Sequence, residues 1–218
     1  MRLILGLILV VVLTGCKPDK FSTEIYTSDV ELALKGEILE VNATAAFSLL
    51  GEDKDGLFEK VKVSVSRYTS PGTKFSKVKG QFGDKLVIET QIPLGTASSI
   101  SKFVENNPRV IALEVSSDPV EEGIKVSLIE TSLIKNLGNE LRGVNMMLSL
   151  EMPASNSLIR VISDSRSSRF LSAIAVYVNQ TPYLKYSEAL GRRDSAEIVF
   201  KGTGGSVYSE INPELVIR

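Results

Sequence analysis

A mainly β protein, of α+β type with antiparallel sheets in a sandwich-like arrangement and one or two short helices, is what this chain of 218 residues predicts. Three observations carry that expectation. Apolar and polar residues alternate with a period of two through most of the chain after residue 25, which places the apolar set on one face of a strand. Short clusters of Gly, Pro, Asp and Ser separate the alternating runs. Apolar residues take up helical spacing in only two segments, near 97–106 and 132–142.

The first run, "DVELAL", alternates through Val30, Leu32 and Leu34, and the Lys35-Gly36 step after it reads as a hairpin turn. The next strand, "ILEVNATAAFSLL", sets Leu39, Val41, Ala43, Ala45, Phe47 and Leu49 against Glu40, Asn42, Thr44 and Ser48. A third carries Val61, Val63 and Val65 against Lys60, Lys62 and Ser64, and "KLVIETQI" adds Leu86, Ile88 and Ile92. Further strands are "RVIALEV", "GIKVSLIE", "VNMMLSLEM", "LIRVIS", "LSAIAVYVN", "AEIVF" and the C-terminal "ELVIR". "GEDKDG", "TSPGT", "SSDPVEEG" and "KGTGG" supply turns.

The helix over 97–106 follows from Ile100, Phe103 and Val104, with Thr96 or Ser98 as N-cap and Pro108 as the stop. The second helix runs through "SLIKNLGNELR". Pro153 and the polar "ASNS" after it mark a candidate boundary. The residues leave two organisations open: one β-rich domain over 25–218, or two over 25–152 and 153–218.

Composition narrows the chemistry. The chain has no His, one Cys and no Trp, with a formal charge of −1 and 43% hydrophobic residues. The apolar fraction argues for a packed core. The near-neutral charge gives no reason to expect nucleic acid. Without His, neither a Ser-His-Asp triad nor a His-ligated metal site is possible. Carboxylate pairs and Ser/Lys arrangements are the catalytic options left. The residues imply no cofactor, no metal and no enzymatic activity.

The N-terminus, "MRLILGLILVVVLTGCKP", places Arg2 before an unbroken apolar run from Leu3 to Leu13. That is the layout of a secretory signal, and the run is too short to cross a ~30 Å hydrocarbon core as a helix. The following Leu13-Thr14-Gly15-Cys16 resembles the lipobox of bacterial lipoproteins. The resemblance covers the leader alone. It implies recognition by signal peptidase through Leu13, Thr14 and Gly15, removal of residues 1–15, and lipidation of Cys16 with diacylglycerol and an N-acyl chain such as palmitate. Two or three chains anchor stably where one does not. It also implies that the domain stands in the periplasm at a membrane surface. Because Lys17 rather than Asp follows the cysteine, the expected address in a Gram-negative host is the periplasmic leaflet of the outer membrane. Residues 16–24 are expected to be a lipidated tether.

Four features of the sequence are candidate chemical sites. "GEDKDG" fails as a calcium loop, because Gly51 and Lys62 stand at the first and last ligand positions, where acidic oxygens are needed. Ser99 with Lys102 and Ser132 with Lys135 match Ser-x-x-Lys, but the companion motifs of β-lactamase-type enzymes do not accompany them. Lys60, Lys62, Arg67, Lys74, Lys77 and Lys79 form a candidate cationic face toward a membrane or partner; the plainer reading is solvated strand faces with lysines guarding a sheet edge. Glu121 with Glu122, and Glu114 with Asp118, are carboxylate pairs that sequence cannot place. The leading expectation is a non-enzymatic binding module that meets an envelope protein at the membrane, of the kind a phage or prophage uses to occlude a receptor. The alternatives are an assembly accessory that adds a strand to a client, and a carboxylate-based hydrolase.

Overall fold

The computed structural model describes residues 18–48, 56–80, 83–145, 148, 157–200 and 214–218. Among the described residues eleven strands, β1 (Pro18–Tyr26), β2 (Leu39–Ser48), β3 (Lys74–Gly80), β4 (Gly83–Gly95), β5 (Ile111–Asp118), β6 (Gly123–Glu130), β7 (Ser157–Ile162), β8 (Arg169–Val178), β9 (Thr181–Leu190), β10 (Ser195–Phe200) and β11 (Glu214–Ile217), join in one sheet. Four helices accompany them: α1 (Thr27–Leu34), α2 (Leu57–Ser66), α3 (Ala97–Asn106) and α4 (Ile134–Val144). The β-rich α+β expectation is met, and both expected helices appear as α3 and α4.

The sheet is mixed, continuous and bent back on itself. Its order is β10-β7-β1-β2-β4-β5-β6-β11-β8-β9, with β3 beside β4 and a further pairing of β10 with β8. The β1–β7 and β4–β5 ladders are parallel, so the sheet is not wholly antiparallel as expected. Because β1 lies between β2 and β7, strands from both sides of residue 153 share the sheet, and the two-domain division has no counterpart in the pairing. The inner face buries Phe21 and Ile25 of β1, Ile92 and Leu94 of β4, Leu113 and Val115 of β5, Ile159 and Val161 of β7, and Ile198 and Phe200 of β10. Each such side chain contributes ~1.5–3 kcal/mol by burial. A second cluster lies where α2 and α4 cover the first half of β4, packing Phe58, Val61, Leu137 and Leu141 onto Leu86 and Ile88.

Three expectations are corrected. "DVELAL" is not a strand: it lies in α1, which buries Thr27, Val30 and Ala33 at three-residue spacing. Gly36, at φ 99°, is the helix's C-terminal stop, its N–H donating to Ala33 O while Glu37 N–H donates to Leu32 O. The Val61–Val65 run is helical too, since α2 buries Phe58, Val61 and Val65 and leaves Val63 outside. Finally, the expected tether over 16–24 is strand β1 from Pro18 onward, with Phe21, Thr23 and Ile25 buried. Most of "VNMMLSLEM" and "KGTGG" lies outside the described residues.

Two polar contacts, one buried and one at the surface, hold segments together. Arg109, 4% exposed, donates from Nη2 to Glu40 Oε1 (2.9 Å) and from Nη1 to the carbonyls of Thr69 (3.1 Å) and Pro108 (3.0 Å). At α1, no residue of its own caps the N-terminus; Asp164 does so from the loop after β7, accepting from Ser28 N–H (3.0 Å) and Thr27 Oγ1 (2.9 Å). Burial works to raise the Asp164 pKa, but the bonds from Ser28 and Thr27 outweigh it and hold it below the usual carboxylate value. Asp29 beside it is raised, by burial first and then by the Asp164 charge.

Replacing Arg109 by Ala is expected to cost about 3 kcal/mol, since it strands two carbonyls and the partly buried Glu40; urea unfolding measures it, and a loss below about 1 kcal/mol would contradict the assignment. Asp164→Asn is expected to cost about 1 kcal/mol at neutral pH. A depressed folded pKa gives stability that is complete above the unfolded value near 3.9 and is lost as pH falls through the folded pKa. Urea midpoints of wild type and Asp164→Asn should therefore converge between about pH 4 and pH 2, and a pH-independent gap would refute the coupling.

Candidate interaction surface

β8 and β9 form a hairpin closed by Asn179 and Gln180, both at positive φ (47° and 71°), as a two-residue hairpin loop requires. β9 pairs with β8 along its whole length and, among the described residues, has no strand on its other edge. β8 buries Leu171 and Ala173, then Val176 and Val178, so its alternation slips by one residue and leaves Ile174 outside.

Large apolar side chains on this hairpin face solvent: Phe170 (51% exposed), Ile174 (57%), Tyr183 (39%) and Leu184 (69%). Only Tyr186 and Leu190 of β9 are buried. Tyr186 sits edge-on to Tyr183 with ring centres 5.2 Å apart and donates its hydroxyl to Glu188; burial first, then that bond, raise its pKa. Glu121, in the turn between β5 and β6, faces both Lys185 of β9 (3.5 Å) and Arg218 (3.4 Å). This ties to the hairpin a turn whose Val120 is 86% exposed. Scattered exposed apolar residues are ordinary; here Phe170, Ile174 and Tyr183 share one face of the hairpin and Leu184 lies on the other, which makes the hairpin the candidate interaction surface.

Two cavities lie elsewhere. An open cleft of about 370 Å³ is lined by Asn42, Thr44, Ser70, Lys74, Glu89 and Gln91, among others. Its wall is the turn Ser70-Pro71-Gly72-Thr73, with Pro at the second position and Gly72 at φ 83° as a type II turn needs. Ser70, Thr73 and Thr90 join their hydroxyls there at 2.8–3.3 Å, and Gln91 N–H donates to Ser70 Oγ (3.0 Å). These groups satisfy one another, and among the described residues Glu89 is the one carboxylate lining the cleft. The second cavity, of about 60 Å³, is walled by Phe47, Val65, Ile88, Leu137 and Arg109 between the two core clusters.

The sequence-derived cationic face is spread over two elements. Lys60 and Lys62 ride on α2, and Lys74, Lys77 and Lys79 on the edge strand β3. Among the described residues, three of the six meet acids: Lys62 with Glu59 (3.4 Å), Arg67 with Glu140 (3.2 Å) and Lys77 with Asp84 (2.8 Å). Asp118 is engaged by the backbone N–H groups of Glu121 and Val120, which hold its pKa down. Ser99 donates to Thr96 O (3.0 Å) within the α3 cap rather than facing Lys102. Leu13, Thr14, Gly15 and Cys16 lie outside the described residues. The hairpin was missed because β9, "TPYLKYSEAL", is exposed on both faces and so shows no alternation. No protein-family model and no curated protein sequence matches this chain.

Phe170→Ser and Leu184→Ser are expected to leave stability within about 0.5 kcal/mol of wild type, because neither side chain is in the core. Chemical unfolding tests this; a loss of about 2 kcal/mol at either position would show that it packs inward.

Proposed function

We propose that this chain is a lipid-anchored protein of the bacterial envelope that binds another envelope protein without catalysing a reaction. The lipobox supports the anchor and the periplasmic address, with the outer-membrane leaflet following from Lys17 in a Gram-negative host. The single observation that carries the binding role is the solvent-facing apolar group Phe170, Ile174, Tyr183 and Leu184 on one hairpin.

Among the expected modes, docking by side chains is better supported than strand addition. Pro182 offers no N–H to a new ladder and Lys185 stands midway along β9; both are devices that discourage edge pairing. A hydrolase is less well supported: retaining and inverting glycosidases need two carboxyl groups flanking one cleft. Among the described residues, the larger cleft offers Glu89 alone. Asp164, whose charge acts on Asp29, is occupied in capping α1. A sandwich-like arrangement is supported by the division of the inner face between a sheet-enclosed cluster and a helix-covered one.

A photocrosslinking residue at Leu184 in growing cells is expected to capture an envelope protein, whereas one at Lys102 on α3 captures none. Adducts of equal yield at both positions, or none at either, would overturn the binding role. Labelled palmitate is expected in the wild type and absent from Cys16→Ala; equal labelling would overturn the anchor.

A further inference from the structure

We infer that the protein rests on anionic lipid headgroups through one particular end of its sheet, formed by the start of β1 and the β3–β4 tip. This deepens the preceding proposal and depends on acylation of Cys16. One residue, Lys17, separates Cys16 from Pro18, where β1 begins. Two residues span at most about 7 Å. The acylated sulfur is therefore held close to a paired strand, and the domain cannot turn its far end to the membrane.

The register shows what lies beside that anchor point. Pro18 pairs with Phe47, Phe47 with Leu86, and Leu86 with Lys77, so these four residues form one row across β1, β2, β4 and β3. Three strand spacings put Lys77 about 14 Å from Pro18. Beyond that row β3 and β4 continue through Lys79 opposite Asp84 to Gly80 opposite Gly83. The tip thus runs some 10 Å past the row at which the anchored strand starts, further than the leash is long. The opposite end of β2 is eight residues away, about 26 Å from the row, where Leu39 pairs with Leu94; Glu37 and Ile38 lie against Gly95 just past it, and Lys35 is two residues before Glu37 in the turn after α1.

The chemistry of the near end suits an anionic surface. β3 and the first half of β4 carry Lys74, Lys77, Lys79 and Lys85 against Asp84 and Glu89, a surplus of two positive charges, while on β1 Asp19 offsets Lys20 and in the sequence after β2 Glu52, Asp53 and Asp55 stand against Lys54. Lys20, exposed on β1, lies in the next row with Ala46, Val87 and Ser76. Val78, 47% exposed, is the apolar residue between Lys77 and Lys79. Cationic groups held within a Debye length of anionic lipid are attracted to it, and the attraction is screened by salt.

The full acylated chain reconstituted in vesicles of phosphatidylethanolamine and phosphatidylglycerol tests this. Cys16 is consumed by acylation, so Val78→Cys or Lys35→Cys supplies a single thiol for a fluorophore, read against a lipid whose quencher sits at headgroup depth. The expected result is loss of fluorescence at position 78 and none at position 35; equal loss, or greater loss at 35, overturns the orientation. Adding Lys74→Gln and Lys79→Gln to Val78→Cys is expected to reduce the quenching, as is raising the salt, and quenching insensitive to both overturns the role of charge. Flotation of the same preparations separates this inference from the anchor. If Cys16→Ala floats as well as wild type, the acylation proposal fails; if wild type alone floats but position 78 is quenched no more than position 35, only the orientation fails.

Discussion

β4 has two hydrogen-bonding edges and three partners, and the rest of the structure is arranged around that mismatch. β2 takes one edge from Lys85 to Leu94. The other is divided between β3, which ends at Glu89, and β5, which meets only Leu94 and Gly95. The interval between them contains Pro93, which has no N–H to leave unpaired, and Gln91, whose N–H is taken by Ser70 Oγ. Arg109 fills the space, tying Thr69 on one side of the gap to Glu40 on β2 and lying 5.7 Å from the centre of the Phe103 ring. A buried guanidinium is a costly filler unless its bonds are satisfied. Here its Nη atoms are satisfied by Glu40 Oε1 and the carbonyls of Thr69 and Pro108, while its buried Nε has no partner among the described residues.

The same divided edge lets β4 serve two cores, and the sheet's twist does the rest. β9 covers one edge of β8 throughout, so β11 and β10, which pair with 171–173 and 176–178, must lie end to end along the other. Counted that way they point in one direction. Counted the long way round, through seven ladders of which five are antiparallel, they point in opposite directions. The two counts agree only if the sheet rotates through a half turn between them. Seven ladders at the usual twist of roughly 20–25° accumulate about 140–175°, so ordinary strand twist accounts for most of it.

The strands with one clean apolar face were legible from alternation alone, as β2, β4, β5 and β6 show. Where the sequence misled, a shared physical requirement had two solutions. Lys35-Gly36 calls for a residue with positive φ, which both a hairpin turn and a helix end provide, and α1 uses it for the second. Val61 and Val65 fit a strand at even spacing and a helix at i and i+4; Phe58, three residues before Val61, was the deciding signal. β1 alternated plainly through Phe21, Thr23 and Ile25 but was assigned to a tether because of what preceded it. Of the candidate sites, the lysines were legible by type, while their ion pairs depended on Glu59, Glu140 and Asp84 arriving from other positions. β9 carried no legible period, since neither of its faces is consistently buried.

That absence of period bears on what the hairpin is for. A free strand edge flanked by exposed Leu184 and Ile174 is a liability for any monomer, because it offers both a ladder and an apolar surface to a neighbouring chain. The chain guards only the first of these. Pro182 and Lys185 blunt the ladder, whereas polar replacement of Phe170, Ile174 or Leu184 would cost the core nothing, since none of them reaches it. Guarding the backbone while leaving the side chains bare separates two risks that a purely defensive design would remove together. The combination is the one expected of a surface that must meet a partner through its side chains and must not meet copies of itself through its backbone.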